Sequence, residues 1–466
     1  MSELPNNWDT TSLETVSDVV RGITFPASAK QFEKTDLNVC CLRTTNIQRE
    51  ILWADVYFVP REFVKRDEQY VKIGDVLMSM ANSYELVGKV AVVRTIPFKT
   101  AFGAFLSAVR PKDAILGQYL FHFLRSDQVQ REIRESSSQT TNIANISVAT
   151  LSQIQVPLAP LNEQKRIADK LDAVLARVDT CRERLDRVPP ILKRFRQSVL
   201  AAATSGKLTE EWRTTNGHTK PWRKVRLDEI ADIQGGVTKD SKKQSVADEE
   251  VPYLRVANVQ RGYLDLAEVK TIRVPSSRLA ALLLEPGDVL FNEGGDLDKV
   301  GRGWIWEGQV KRCSFQNHVF RARLFDDGNQ PKYISWWGNH CGLNYFLRGG
   351  KQTTNLASIN KSMLSALPIS LPSSEEQAEI VRRVEDLFAY ADRLDARYTT
   401  ARALVEQLPP ALLAKAFRGE LVPQDPNDEP ASVLLERIRA KCDSEATNKP
   451  KRRGQKTGLI GCPFNL

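Results

Sequence analysis

The stretch EQAEIVRRVEDLFAYADRLDARYTTARALVEQLPPAL, residues 376–412, places apolar or small side chains at Ile380, Val384, Leu387, Ala391, Leu394, Tyr398, Ala401, Val405, Leu408 and Leu412. The intervals alternate between four and three residues, with charged residues between. This is a sustained heptad seam. An isolated apolar stripe would stay in water, so it must face another helix. The chain supplies one. Ile167, Leu171, Val174, Val178, Cys181, Leu185, Val188, Leu192, Phe195 and Val199 repeat the same alternation. The nearest partner for one seam is the other.

Both predicted helices start after prolines and polar residues. Asn162 and Ser373–Ser374 are the expected N-caps, followed by acidic first turns at Glu163 and Glu375–Glu376. If straight, Glu376 to Leu408 spans about 50 Å. Pro189-Pro190 and Pro409-Pro410 interrupt the seams, and the apolar spacing continues through both, so a kink is expected at each. Gly206 and Gly419 are suited to close the helical regions as left-handed C′ residues.

The two seams belong to a larger duplication. QTTNIA at 139–144 answers QTTNLA at 352–357, an offset of 213 residues. The same offset joins GDVL at 74–77 to GDVL at 287–290, Glu163-Gln164 to Glu376-Gln377, and Gly206 to Gly419. LRTTNIQR at 42–49 answers LRVANVQR at 254–261 with a small slip, as loop insertions produce. Strands are predicted over Val76–Met78, Val289–Phe291, Lys89–Val93 and Gly303–Trp306. Glycines before β-branched pairs, Gly22 and Gly236, are expected to be turns entering strands. Short helices are expected around Tyr119–Leu124 and Tyr333–Trp337. Each copy thus begins with a mixed, strand-rich globule and ends in a long helix.

Composition bounds the function. The chain has 466 residues, 42 % hydrophobic, with a formal net charge of +9. That allows several cores and mildly favours a polyanionic partner. Lys449, Lys451, Arg452, Arg453 and Lys456 hold part of the charge in an expected tail. No apolar run has the length of a membrane helix, and the N-terminus lacks a signal-like pattern, so the expected location is cytoplasmic. Seven scattered cysteines without a CxxC pair read as reduced and structural, and four histidines show no metal-ligand spacing. There is no phosphate loop, no GxGxxG and no nucleophile elbow. Glu293, Asp296 and Asp298 form the densest carboxylate group of the second globule, but the first copy keeps only Glu85 there, which favours a surface loop over a metal site. No metal or catalytic residue is expected.

Candidate DNA contacts fall into three groups. Arg43 with Asn46, and Arg255 with Asn258, could bridge guanine and adenine edges. Their retention in both copies equally fits a shared task such as phosphate docking or loop support. Positions that differ between the copies are better placed to choose bases: Lys30 and Lys34 with Gln31 and Thr35, against Lys239, Lys242 and Lys243 with Gln244. Lys299 answers Leu86, and Arg302 answers Lys89. The polar turns bearing Thr140, Thr141, Lys351, Thr353 and Thr354 suit either phosphate contact or turn capping.

With these motifs assembled, the chain resembles the specificity (S, HsdS) subunit of type I restriction–modification enzymes. The resemblance covers nearly all of residues 1 to 440. It rests on Leu4-Pro5 with Trp8, Pro221-Trp222, the paired GDVL and QTTN segments, Leu371-Pro372 before Glu376-Gln377, and AFRGEL at 416–421. The first copy departs at the last, with ATSGKL at 203–208. The implied fold is α+β: two strand-rich target recognition domains separated by two long helices in an antiparallel coiled coil, with a pseudo-two-fold internal repeat. The implied boundaries are 1–158 and 213–372 for the recognition domains, 159–212 and 373–425 for the helical regions, and 426–466 for a C-terminal extension. The resemblance implies a noncatalytic subunit reading a bipartite, asymmetric double-stranded DNA site. It implies two modification subunits that methylate adenine with S-adenosylmethionine, and restriction subunits that use ATP and Mg²⁺. Two other readings stay open: a structural adaptor without sequence-specific reading, and an atypical self-contained methyltransferase or nuclease.

Overall fold

The computed structural model describes residues 4–140, 143–218, 220–238, 248–296, 299–349, 351–352 and 356–447. The chain divides into two compact units, 1–184 with 402–466, and 185–401. Four helices organise them: α1 (Leu161–Asp186), α2 (Val188–Ser205), α3 (Ser374–Ala416) and α4 (Ala431–Thr447). Among the described residues, no helix is long and apolar enough to cross a membrane.

The duplication is a duplication of sheets. The first unit has a four-stranded antiparallel sheet ordered Ser17–Arg21, Leu106–Pro111, Val76–Ser79, Val90–Val92. The second has Ala231–Gly235, Val319–Leu324, Val289–Asn292, Gly303–Ile305 in the same order. A three-stranded mixed sheet follows in each: Asn38–Leu42 between Tyr57–Pro60 and Thr100–Phe102, and Glu249–Leu254 between Lys270–Val274 and Ser314–Phe315. A third sheet pairs the polar hairpin Ser138–Gln139 and Ala144–Asn145 with Ala81–Asn82. Its counterpart joins Lys351–Gln352, Leu356–Ser358 and Gly294–Asp296. The expected short helices are Gly117–Leu124 and Pro331–Trp337.

Gly22 and Gly236 follow a strand instead of entering one. A Cβ on Gly22 would lie 2.2 Å from the Gly103 carbonyl oxygen, and one on Gly236 would lie 2.0 Å from that of Phe315. The glycine therefore permits a close backbone approach between two segments.

Each GDVL motif builds a buried lock. Gly74 and Gly287 have φ of +89° and +95°, left-handed values that turn the chain into the strand. Asp75 accepts from the Lys72 backbone N–H at 2.8 Å and holds Arg110 with two hydrogen bonds of 2.8 and 2.7 Å. Asp288 accepts from the Glu285 N–H at 2.7 Å and holds Arg323 with two bonds of 2.8 Å. The ion pair raises both guanidinium pKa values.

Antiparallel helix pairing is present within each unit. In the first, Arg182 of α1 meets Glu406 of α3 at 2.7 Å and Arg166 meets Asp428 at 2.7 Å, so the partner number falls as the first rises. In the second, Arg196 of α2 meets Asp392 at 2.6 Å while Arg383 donates to the Leu208 carbonyl at 2.9 Å. Ile167, Leu171 and Val178 are buried, as are Ile380 and Val384; Val174, Leu185, Leu387 and Leu394 are half-buried. Ile167 and Leu171 share a core with the strand-rich domain as well as with Leu413 and Ala416 of α3.

The heptad reading needs correction at two positions. Leu408 is 44 % exposed, and Cys181 is exposed, while Val178 before Cys181 and Leu192 and Val199 beyond it are buried as the seam requires. In α3 the buried stripe passes through Leu413 and Ala416 instead of Leu408 and Leu412. A straight helix of about 3.6 residues per turn drifts about 20° per heptad from a repeat of about 3.5, so the stripe slips by one residue after a few turns. The start of α1 also differs: it begins at Leu161, with Gln164 N–H bonded to the Pro160 carbonyl at 2.8 Å, so Asn162 lies inside the helix and does not cap it. Ser373 does cap α3, accepting from Glu376 N–H at 3.3 Å. The two Pro-Pro pairs behave differently. Pro409 and Pro410 lie within continuous α3, whereas α1 ends before Arg187 and α2 restarts with prolines in its first turn. Gly206 and Gly419 take the expected left-handed conformation, with φ of +80° and +74°.

The Glu-Gln pairs fasten the helix starts. Gln164 accepts from Leu116 N–H at 2.9 Å and donates to the Ala159 carbonyl at 2.8 Å; Gln377 accepts from Gln330 N–H at 2.9 Å and donates to the Pro372 carbonyl at 3.0 Å. Glu376 is buried and accepts from Thr209 (2.7 Å), Arg213 (3.0 Å) and Trp222 (2.9 Å). Glu163 is also buried but less well held: Gln424 donates to one oxygen at 2.6 Å, while the other lies near the Trp8 indole without a formed hydrogen bond. Burial raises the Glu163 carboxyl above its ordinary range. Folding therefore favours the protonated form, a contribution fully present below about pH 4 and lost as pH rises through the raised value. Glu163→Gln is expected to gain melting temperature relative to the parent between about pH 4 and pH 7. A difference that is flat or shrinks across that range would rule the burial argument out.

Candidate nucleic-acid interface

The mixed sheet of the first unit presents cations over aromatic rings. Tyr57, on Tyr57–Pro60, packs edge-on against Phe25 at 5.8 Å between centroids. The Lys30 ammonium lies 5.5 Å and the Arg43 guanidinium 5.4 Å from the centroid of the Tyr57 ring. Lys34 lies 5.5 Å from the Phe98 ring, which packs against Phe58. Lys99 lies 4.5 Å from the Tyr70 ring. Ring faces hold these cations in place without neutralising them. Lys30 and Lys34 are exposed. The structure thus sets Lys30 and Arg43 over Tyr57 and Lys34 over the Phe98–Phe58 pair, rings on opposite faces of one strand, and adds Lys99, which carries no repeat signature.

The Arg-x-x-Asn segments are loop closures. Asn46 is 1 % exposed; its oxygen accepts from Arg43 N–H at 3.0 Å, and its amide donates to the Leu52 and Asp55 carbonyls at 3.0 and 2.7 Å. Asn258 is 3 % exposed and repeats the scheme, accepting from Arg255 N–H at 2.9 Å and donating to the Asp265 and Glu268 carbonyls at 2.8 and 3.0 Å. Both amides are engaged, which leaves no amide hydrogen for an adenine edge. Of the two tasks open to them, loop support is the one their bonds perform. Arg43 bonds to Asp55 at 2.5 Å, and Arg255 donates to the Glu268 carbonyl at 3.3 Å, so each guanidinium ties the same loop while remaining partly exposed.

Lys89 donates to Gln48 at 2.7 Å, and Arg302, its counterpart, donates to the Val256 carbonyl at 3.3 Å. Both reach the loop that Asn46 or Asn258 closes. Burial lowers the Lys89 pKa. Lys299 is half-buried on the turn between Gly294–Asp296 and Gly303–Ile305. Thr140 is exposed at the hairpin and bonds to the Ile143 carbonyl through N–H (2.9 Å) and hydroxyl (3.2 Å). Lys351 pairs through its backbone with Ser358. Thr141, Lys239, Lys242, Lys243, Thr353 and Thr354 lie outside the described residues, as does Asp298. Glu293 is hydrogen-bonded to His318. Among the described residues, no group of three His, Cys, Asp or Glu side chains could hold a metal ion.

Several functional-looking contacts escaped the sequence reading. Arg110 and Arg323 sit at the common offset and could have been found from it. Asp172, which accepts from Gln118 at 2.8 Å and contacts His122 at 2.9 Å, has no local signature.

Known proteins similar to this chain give its family and fold. The sequence model described as "Type I restriction modification DNA specificity domain" matches residues 5–189 and 219–398. The chain is 34 % identical over 465 residues to the type I restriction enzyme EcoKI specificity subunit of Escherichia coli, covering 97 % of this chain and 99 % of that one. It is 35 % identical, with the same coverage, to the StySPI specificity subunit of Salmonella potsdam. In fold it is similar to the HsdS subunit of Thermoanaerobacter tengcongensis, with a TM-score of 0.63 over 90 % of this chain and 98 % of that chain at 20 % identity.

Proposed function

The chain belongs to the family of type I restriction–modification DNA specificity subunits, and on that premise we propose that each strand-rich domain reads one half of a bipartite, asymmetric DNA site. The observation that carries this reading is the same set of sheets, built twice in one chain and attached in each unit to antiparallel helices. The subunit is noncatalytic. It supplies target choice, and its partner subunits supply catalysis: two modification subunits using S-adenosylmethionine, and restriction subunits using ATP and Mg²⁺. The recognition domains are 1–158 and 213–372, the helical regions 159–212 and 373–425, and the extension 426–466. The site of action is the cytoplasm, where the DNA is.

Within the first domain, Lys30, Lys34 and Lys99 approach the backbone phosphates, with Lys89 and Thr140 on neighbouring loops. Thr141 and the second-domain set Lys239, Lys242, Lys243, Lys299, Arg302, Lys351, Thr353 and Thr354 complete the reading. Arg43 and Arg255 contribute charge while holding their loops, and Asn46 and Asn258 keep those loops in shape. Phosphate contacts fix register, and the diverged loops select bases.

The test uses the chain assembled with its modification subunit on libraries of duplexes. Two short motifs at a fixed interval, lost when the interval changes by one base pair, are expected. Enrichment of one undivided motif that tolerates any spacer would sink the two-reader scheme. If Lys30 and Lys34 each meet a phosphate, the double change to Gln reduces the slope of log K against log salt by about 1.8. An unchanged slope would remove both lysines from the DNA face.

A further inference from the structure

The first unit contains a cavity of about 380 Å³ whose walls include Arg49, Trp53, Arg94, His122, Arg125 and Asp172. Two of its guanidiniums have partners: Arg49 meets Asp179 at 2.7 Å and Arg94 meets Asp172 at 3.4 Å. Arg125 is half-buried, lies 5.3 Å from the Phe121 ring, and forms no ion pair among the described residues. Burial lowers its pKa, and the positive charges of Arg49 and Arg182 add to the penalty that Asp179 and Asp172 relieve in part. A guanidinium in that position gains from an incoming anion that offers two oxygens.

His122 stands in the same wall. It is 1 % exposed. Its Nε2 contacts Asp172 at 2.9 Å, while its buried Nδ1 has no hydrogen-bond partner. Burial and the neighbouring Arg125 and Arg94 lower the imidazole pKa against the pull of Asp172.

The second unit differs at the same place. The helix Gly117–Leu124 answers Pro331–Trp337 at a local offset of 214, as Tyr119 and Tyr333 show by donating to the Pro157 and Ser370 carbonyls, so His122 corresponds to Trp336, which is 4 % exposed and packs 6.3 Å from Trp304 and 6.1 Å from Phe388. Arg125 becomes Asn339, whose amide bonds to the Gly303 N–H at 3.0 Å and carbonyl at 2.7 Å. A ring and a satisfied amide stand where the first unit has His122 and Arg125, and the counterparts of Arg94 and Asp172, Glu307 and Glu385, both meet Lys332.

We propose that this cavity binds a small phosphate-bearing anion from solution, with Arg125 as its principal ligand and Arg49 and Arg94 beside it. The site is separate from the DNA reading and stands or falls without it. Orthophosphate and a mononucleotide share the required chemistry, and Trp53 offers ring surface that only the nucleotide would use.

Thermal melting of the full chain with orthophosphate, with AMP, and with chloride at matched ionic strength tests the site. A saturable rise of about 3–5 °C with orthophosphate, absent with chloride, is expected. Arg125→Gln should abolish it, and Arg94→Gln should weaken it. A larger rise with AMP assigns the site to a nucleotide, and an equal or smaller one assigns it to free phosphate. Arg125→Lys keeps the charge and loses the fork, so its response should fall between those of the parent and the Gln variant, which guards against simple misfolding. An equal rise in parent and Arg125→Gln, or no saturable rise, overturns the proposal. So does an Arg125→Gln protein that keeps the orthophosphate response and loses duplex binding.

Discussion

Asp75→Ala is expected to cost about 3–5 kcal/mol of stability, because it removes one half of a buried ion pair and leaves the other half in place. Asp75 is 1 % exposed and its partner Arg110 is 13 % exposed. The carboxylate holds that guanidinium through two bonds and also accepts the Lys72 N–H that closes the turn. Alanine leaves a guanidinium facing the Tyr70 carbonyl alone, at 2.9 Å. Asp288→Ala should cost less, since Arg323 is 30 % exposed and also bonds to Glu285 at 2.5 Å, which offers a second carboxylate. Urea unfolding of the two variants checks both the size and the order. Replacing Asp75 and Arg110 together by leucine should recover much of the loss, since a matched apolar pair leaves no stranded charge. A single-variant loss under about 1 kcal/mol would show that the pair is solvated, as surface pairs are.

Glu376→Ala is the second large effect, expected at about 2–4 kcal/mol and confined to the second unit. Glu376 is the acceptor for a hydroxyl, a guanidinium and an indole N–H, all from the segment between Gly206 and the strand Arg223–Arg226. Without the carboxylate, Thr209, Arg213 and Trp222 lose a common anchor. The segment should then open before the sheets do. Limited proteolysis would show new cleavage within 207–222, with the tryptophan fluorescence shifting to longer wavelength. Glu163→Ala should cost less, because among the described residues Gln424 is the donor formed to that carboxylate while the Trp8 indole lies near its other oxygen. Equal losses at the two sites would contradict the claim that the bonds, and not burial of the helix start, fasten this end.

The offset of 213 residues already holds much of this in the sequence. A repeated GDVL implies a repeated turn, and glycine at +89° and +95° is the reason that the turn tolerates no other residue easily. The alternating seam called for helix partnership, because apolar side chains at that spacing have to meet another helix, while the break between α1 and α2 at Pro189-Pro190 replaced the kink expected there. Other features depended on arrangement in space. Asn46 and Asn258 have the same letters whether they read a base or close a loop, and the carbonyls that occupy their amides come from residues up to ten positions away. The ring under Lys30 belongs to a separate strand, so the cation surface could not be inferred from spacing.

By itself, then, the sequence determined the duplication, the two long helices, their caps at Gly206 and Gly419, and the family, since local backbone preference and periodic burial act over a few turns and leave a pattern in the letters. Tertiary structure alone decided three things. It moved the buried stripe off Leu408, because a straight helix does not keep a heptad register. It tied Arg110 to Asp75 and Arg323 to Asp288, because an ion pair across a sheet depends on strand order. It also left the first unit an Arg- and His-lined cavity where the second packs tryptophan, because a cavity is a property of how neighbouring elements fail to fill space, and no single segment records it.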